Sequence, residues 1–205
     1  ERKELEQRGK EKCAYRAYLD LNRRIEYLYS SNALDNMQSR KTSEEDKNIA
    51  IKYKEAKKTL IESVCDIILC SVDKYECVDG QFGLWHKAKC EEIMGTMNTA
   101  IFQDDSLILK SNSFTYGLAQ KWVNMTLKYL WLLDRLPEGL TAKSLHVPID
   151  SFILEKLQEE NVDEIRRDGD TYKYKGKSWS QLDDYDAYLD IQTKIGQIAG
   201  KTFPI

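Results

Sequence analysis

The segment from Phe114 to Leu133 constrains the fold of this chain more than any other. Drawn as a helix, it is apolar around most of its circumference, and such a helix has to be buried by neighbours on several sides. The rest of the chain must supply those neighbours. Only 3 prolines and 10 glycines occur among the 205 residues, which favours long helices over a turn-rich β fold.

Apolar residues recur at helical spacing in five further segments. The six predicted helices cover residues 2–31, 43–71, 82–98, 114–133, 151–160 and about 181–199, with loops at 31–43 and 104–112. Ser43 with Asp46, and Ser180 with Asp183, are spaced like capping boxes for the second and last helices. The alternating segment 171–177 contains a glycine and predicts one short β-hairpin.

We therefore expect a mainly α fold, with residues 1–205 forming a single globular multi-helix domain. The first helix, residues 2–31, either packs on that domain or forms an appendage to it.

Charge, hydropathy and cysteine content narrow the class of protein. A net charge of −3 gives no overall basic signature for nucleic acid, although a local basic face would still bind it. No apolar run approaches the roughly 18–20 residues that span a bilayer, and no secretory signal peptide is recognisable. Five cysteines, an odd number, indicate reduced thiols. We expect a cytoplasmic protein without a membrane span.

His86 and Cys90 are spaced i, i+4 on a predicted helix, a pair that could clip a metal ion. No CxxC motif accompanies them, and buried free cysteine is the favoured interpretation. The sequence therefore predicts neither a metal site nor a cofactor.

Three polar side chains interrupt the central apolar helix. Lys121, Asn124 and Lys128 stand at i, i+3 and i+7, so they share one face. Gly117 lies one turn before Lys121 on that face, although glycine inside a helix costs about 1 kcal/mol relative to alanine. That cost indicates the close approach of another backbone or of a ligand.

Lys121 is the candidate nucleophile. Its neighbours Trp122 and Val123 would desolvate it, which lowers the pKa of an amine, and a neutral lysine forms Schiff bases with carbonyl carbons. A simpler alternative is that Lys121 and Lys128 extend from one solvated stripe.

Asp150 ends the segment His146-Val-Pro-Ile-Asp and precedes a predicted helix. Pro148 keeps the chain extended, which leaves Asp150 at the N-cap. A carboxylate held there stays ionised and fixed in direction, as an electrostatic or general-base role requires. Helix capping alone explains the residue equally well.

Together the two segments resemble the helix-hairpin-helix superfamily of DNA glycosylases. The matching stretches are Tyr116-Gly-Leu-Ala-Gln-Lys-Trp-Val-Asn124 and Val147-Pro-Ile-Asp-Ser-Phe-Ile153, so that the resemblance covers about 40 residues from the first to the last. Lys121 matches the catalytic lysine of that family and Asp150 its catalytic aspartate. Their separation of 29 residues is closest to the archaeal 8-oxoguanine glycosylase branch.

This resemblance implies base-excision DNA repair on double-stranded DNA that carries a damaged or modified base. The target nucleotide would be flipped out of the duplex, Asp150 would stabilise charge at the sugar, and Lys121 would form a Schiff base that permits strand cleavage. The residues expected to contact the substrate are Gly117, Trp122, Asn124, Lys128 and His146.

The alternative is a non-catalytic helical module that binds nucleic acid or protein on the same scaffold. The family's Leu-Pro-Gly-apolar-Gly hairpin, which presents backbone amides to a DNA phosphate, is replaced here by Ser113-Phe-Thr-Tyr-Gly117. An active site requires that the side chains of Lys121 and Asp150 converge within about one hydrogen bond or one water.

Overall fold

A computed structural model describes residues 2–26, 44–75, 81–99 and 114–202. The mainly helical fold expected from the sequence is confirmed. Its helices are α1 (Arg2–Glu26), α2 (Glu44–Asp73), α3 (Phe82–Thr99), α4 (Tyr116–Leu132), α5 (Ser151–Glu159) and α6 (Tyr185–Thr202). None of the helices in the described ranges has the length and apolarity needed to cross a membrane.

Helix α4 is the central element, as its apolar circumference requires. It packs against α1 on one side and against α3 and α6 on others. The Trp122 indole N–H donates to the carbonyl of Ala14 at 3.1 Å, and the Trp122 ring lies 5.4 Å from that of Tyr18. The first helix is therefore part of the core rather than an appendage.

A three-stranded antiparallel sheet, β1-β2-β3, packs against α5. Its strands are β1 (Ile165–Asp168), β2 (Thr171–Tyr174) and β3 (Lys177–Ser178), with Ile165 opposite Tyr174. The predicted hairpin corresponds to β2 and the start of β3, which are joined by a turn at Lys175 and Gly176, both at positive φ. Strand β1 was not predicted, since most of its side chains are exposed and carry no apolar alternation.

The predicted start of the last helix was wrong. Helix α6 begins at Tyr185, and the carboxylate of Asp184 accepts the Ala187 N–H at 2.7 Å. The segment before it is a 3₁₀ turn, Trp179–Gln181, which is closed by its own capping box between Ser178 and Gln181. Ser180 lies within this turn, and residues 182–184 separate the turn from the helix. The predicted cap depends on Ser43, which lies outside the described residues, as do the end of the first predicted helix and the loops 31–43 and 104–112.

Candidate active site

Lys121 and Asp150 meet where α4 passes the N-terminus of α5. The Lys121 Nζ donates to Asp150 Oδ2 at 3.1 Å, and only 9% of Lys121 is exposed. Asp150 is the N-cap of α5, and its other oxygen, Oδ1, accepts the Ile153 N–H at 3.1 Å. The two carboxylate oxygens therefore have separate partners, and the helix cap aims one oxygen at the lysine.

Trp179 closes the other side of the lysine. Its ring centroid lies 4.7 Å from the Lys121 Nζ, a cation–π distance, and its side chain is almost fully buried. The ammonium group thus lies between a carboxylate and an aromatic face. The carboxylate edge is the more open one, since the Asp150 side chain is 30% exposed.

Gly117 allows Trp179 to reach this position. A Cβ atom at residue 117 would lie 1.9 Å from the Trp179 carbonyl oxygen, and the Gly117 N–H donates to the Leu182 carbonyl at 2.8 Å. The close approach expected at this glycine is therefore made by the backbone of the 179–182 segment. Its role in substrate contact remains a prediction.

Gln120, which sequence reasoning missed, joins the two halves of the site. Its Nε2 donates to the carbonyls of Gly117 at 2.8 Å and Ile149 at 2.9 Å. Its Oε1 accepts the Ile149 N–H at 3.2 Å and one Asn124 amide hydrogen at 3.1 Å. Gln120 is fully buried, and its amide nitrogen and oxygen each have two partners. The signal available in the sequence was a glutamine on an otherwise apolar helix.

A second glutamine holds the same extended segment from the opposite helix. Gln192 of α6 accepts the Val147 N–H at 3.1 Å and donates to the Val147 carbonyl at 2.6 Å. Gln120 forms the same pair of hydrogen bonds with Ile149. Pro148, which lies between Val147 and Ile149, has no N–H to donate. The extended segment 147–149, which precedes Asp150, is thus hydrogen-bonded to a side-chain amide on each side.

Asn124, which is buried, and His146, which is partly buried, both contact the Tyr188 hydroxyl. The second Asn124 amide hydrogen is donated to the Tyr188 hydroxyl at 3.0 Å, and His146 Nδ1 lies 2.8 Å from the same hydroxyl. Tyr188 stacks on His86 with ring centroids 5.1 Å apart. Burial lowers the pKa of His146 to about 4 and holds that of His86 well below its usual value. Both imidazoles are therefore neutral near pH 7, so His146 has no positive charge to offer a phosphate there.

The structure places two other predicted substrate residues away from the ion pair. Trp122 is fully buried on the side of α4 that faces α1. Lys128 is exposed and stands seven residues beyond Lys121, about 10 Å along the helix axis. The face that Lys121, Asn124 and Lys128 share is therefore buried at Lys121 and exposed at Lys128.

His86 and Cys90, which are spaced as a possible metal-binding pair, do lie together. Cys90 Sγ lies 3.7 Å from both ring nitrogens of His86, inside the buried aromatic cluster. On the last helix Asp190 pairs with Lys175 and Lys194. Within the ranges that the structure describes, no three histidine, cysteine or acidic side chains group as metal ligands.

No family model, no curated protein and no solved structure matches this chain. The site consists of the Lys121 amine, which the Trp179 ring covers, and the Asp150 carboxylate, a proton acceptor one hydrogen bond away. An amine so placed can add to an electrophilic carbon and pass its proton to the carboxylate.

Proposed function

We propose that this protein is a DNA glycosylase with AP-lyase activity, which removes a damaged or modified base from duplex DNA through a Schiff base on Lys121. The observation that carries the proposal is the 3.1 Å contact between Lys121 Nζ and Asp150 Oδ2. The α4 lysine and the capping aspartate are 29 residues apart in the chain, yet they converge on one point. An active site of the DNA glycosylase type requires this convergence of the lysine and aspartate side chains.

The carboxylate prepares the amine for attack. An ammonium group has no lone pair, so Lys121 must first transfer a proton, and Asp150 Oδ2 is in place to accept it. The helix N-terminus stabilises the ionised form of Asp150, both before the transfer and after the proton has been passed on. Trp179 restricts the lysine to one direction of approach.

The glycosylase step begins with a nucleotide flipped from the duplex, which costs a few kcal/mol. The neutral amine attacks C1′, the C1′–N bond to the base breaks, and the base leaves with that electron pair and the proton held by Asp150. The attached nitrogen then returns a proton to Asp150. The C1′–O4′ bond opens as this proton passes to O4′, and a protonated Schiff base forms.

The lyase step follows from that iminium group. Loss of a C2′ proton is accompanied by cleavage of the C3′–O bond, which releases the downstream strand with its 5′-phosphate. Water then hydrolyses the imine and restores the Lys121 amine.

Borohydride trapping tests the proposal, because hydride reduces the iminium group to a stable secondary amine. Wild-type protein is mixed with duplexes that contain an abasic site or 8-oxoguanine, and the covalent adduct is measured on a denaturing gel. We expect an adduct with wild type and none with Lys121→Gln. Lys58→Gln, at an exposed lysine of α2, is the matched control and should trap like wild type. Absence of a wild-type adduct, or an equal adduct from Lys121→Gln, would contradict the lyase.

A second candidate function is a non-catalytic module that binds nucleic acid or protein. One observation favours it: Lys121 is nearly buried and already has two partners, as in an ion pair that serves only stability. The trapping assay distinguishes the two functions. If the ion pair is purely structural, wild type gives no adduct, although Lys121→Gln still lowers the free energy of unfolding.

A further inference from the structure

A cavity of about 450 Å³, the Lys54 cavity, lies between α1 and α2. Among the described residues, α1 contributes Tyr15, Tyr18 and Leu19 to its lining. The Tyr18 side chain is buried, whereas Tyr15 is 51% exposed and Leu19 is 41% exposed. Pockets for small organic molecules have volumes of about 300–1,000 Å³ and are lined mainly by apolar and aromatic side chains. The α1 wall of the cavity therefore offers an apolar group a surface of suitable size.

The α2 wall of the Lys54 cavity is cationic. Its described lining residues are Lys54, Lys57, Lys58, Ile61 and Glu62. The three lysines and the isoleucine stand at i, i+3, i+4 and i+7, so they share one face of α2. Seven residues separate Lys54 from Ile61, which corresponds to about 10 Å along the helix axis. Apolar side chains thus form one wall of the cavity, and cations predominate on the other.

Ion pairing inside the Lys54 cavity leaves an excess of positive charge. The Lys58 Nζ lies 3.7 Å from Glu62 Oε1, so these two charges offset each other. Lys54 is exposed and forms no ion pair with any residue that the structure describes. The whole chain has a net charge of −3, so the local excess does not follow from the overall composition. An anionic group beside Lys54 would neutralise it.

A second cavity continues the groove along the same two helices. It shares Tyr15, Ile61 and Glu62 with the Lys54 cavity. Among its described lining residues two are cations and three are acids: Arg8, Lys12, Glu11, Glu62 and Asp66. The excess of positive charge is therefore confined to one end of the groove. This arrangement favours a ligand with its anionic group at the Lys54 end and its apolar part along the α1 wall.

We propose that the Lys54 cavity binds an organic anion with an apolar body, of the class of medium-chain carboxylates. The carboxylate pairs with Lys54, and the chain lies against Tyr15 and Leu19. An exposed ion pair contributes little by itself, so most of the affinity comes from apolar surface removed from water. The helices α1 and α2 carry neither Lys121 nor Asp150, and the inference does not depend on the proposed function.

Single-stranded nucleic acid is the competing class of ligand, since bases stack on exposed aromatic rings such as that of Tyr15. A nucleic-acid strand carries one charge at every nucleotide, and it matches a groove that is cationic along its whole length. This groove is cationic at one end and mixed in charge at the other. The charge distribution therefore favours a ligand with a single anionic group.

The first test compares two ligands that share one alkyl chain and differ in the charge of the head group. Decanoate and decylammonium are titrated separately into the full chain below their micelle-forming concentrations, and binding is measured by calorimetry. We expect decanoate to bind about tenfold more tightly, because the lysines attract one head group and repel the other. Absence of decanoate binding, or equal affinity for the two ligands, overturns the proposal. Binding of an oligothymidylate without binding of decanoate would assign the groove to nucleic acid and overturn it as well.

The second test locates the anionic group. Lys54→Gln should weaken decanoate binding about fivefold and should not weaken decylammonium binding, because only the anion loses a partner. Lys12→Gln, at an exposed lysine of the second cavity, is the matched control and should bind decanoate like wild type. A Lys54→Gln protein with the decanoate affinity of wild type contradicts the assignment of the carboxylate to Lys54 and overturns the proposal.

The third test concerns the apolar wall. Leu19→Glu places a carboxylate on that wall, and we expect it to weaken decanoate binding at least about tenfold, since it repels the ligand and removes apolar contact. Leu84→Glu, at an exposed leucine of α3, is the control and should leave the affinity unchanged. Both side chains are exposed, so both variants should fold, which their melting temperatures check. An unchanged affinity for Leu19→Glu, or an equal loss in both variants, overturns the proposal.

Discussion

Gln120 and Ile149 are joined by two hydrogen bonds: the glutamine accepts the Ile149 N–H at 3.2 Å and donates to its carbonyl at 2.9 Å. Gln120 is the residue before Lys121, and Ile149 is the residue before Asp150. One side chain therefore fixes the spacing between the helix that carries the lysine and the segment that carries the aspartate. The alignment of the ion pair depends on this connection.

Replacing Gln120 with leucine should lower both stability and trapping. The buried N–H and carbonyl of Ile149 would lose their partners, and each such loss costs about 1–3 kcal/mol. We expect a fall of roughly 3 kcal/mol in the free energy of unfolding, measured by urea denaturation, together with a slower borohydride adduct. Gln158→Leu, at an exposed glutamine of α5, is the control. A Gln120→Leu protein within about 0.5 kcal/mol of wild type would show that the connection is dispensable.

Gly117→Ala should destabilise the protein, because the new Cβ would lie 1.9 Å from the Trp179 carbonyl oxygen. The 179–182 backbone has to move, at a cost of about 1–3 kcal/mol. Gly95→Ala in α3 is the matched control, since nothing lies within 4 Å of its Cβ position. There the substitution should stabilise the helix by up to about 1 kcal/mol. We expect Gly117→Ala to lower the melting temperature and Gly95→Ala to raise it. Equal changes in the two variants would contradict the close approach at Gly117.

Substitutions at Asp150 should separate helix capping from chemistry. Asparagine caps a helix about as well as aspartate, whereas alanine costs about 0.5–2 kcal/mol. We expect Asp150→Asn to leave the melting temperature close to that of wild type and Asp150→Ala to lower it. Both should reduce borohydride trapping strongly, since neither residue can take the Lys121 proton. Full trapping by Asp150→Asn would remove the carboxylate from the mechanism.

His86, which is buried, and His146, which is partly buried, predict a loss of stability in mild acid. Burial lowers the pKa of His146 to about 4, whereas in the unfolded chain it titrates near 6.5. Between those pH values the unfolded chain binds more protons than the folded protein. The free energy of unfolding is therefore highest above about pH 6.5 and falls as the pH drops towards 4. The difference corresponds to roughly 3 kcal/mol for His146. Burial lowers the pKa of His86 as well, and it adds in the same direction.

Urea unfolding between pH 4.5 and 7.5 measures this dependence. His146→Phe removes one titrating group and fills the space with another ring, so its stability should vary less with pH than that of wild type. A parallel pH dependence in the variant would show that His146 does not contribute.

Local patterns in the sequence were sufficient for most of the secondary structure. The apolar circumference of the segment 114–133 required a central helix, and α4 occupies it. The position of Asp150 after Pro148 indicated an N-cap, and the carboxylate does cap α5. Gly117 indicated a close approach, which the 179–182 backbone makes. The helix and the cap depend on residues within one or two turns of each other, so spacing and residue type reveal them. At Gly117 the residue type indicated the close approach, but it did not indicate that residues 179–182 make it.

What the sequence by itself determined is the set of helices, the cap at Asp150 and the presence of a lysine on the central helix. Tertiary structure alone decided which side chains surround that lysine, because the polar residues of α4 mark one face of a buried helix without indicating which distant segments cover it. Trp122 turned towards α1, and Trp179, distant in the chain, came to lie against Lys121. Gln120 found its partners 29 residues away through packing that no local periodicity encodes.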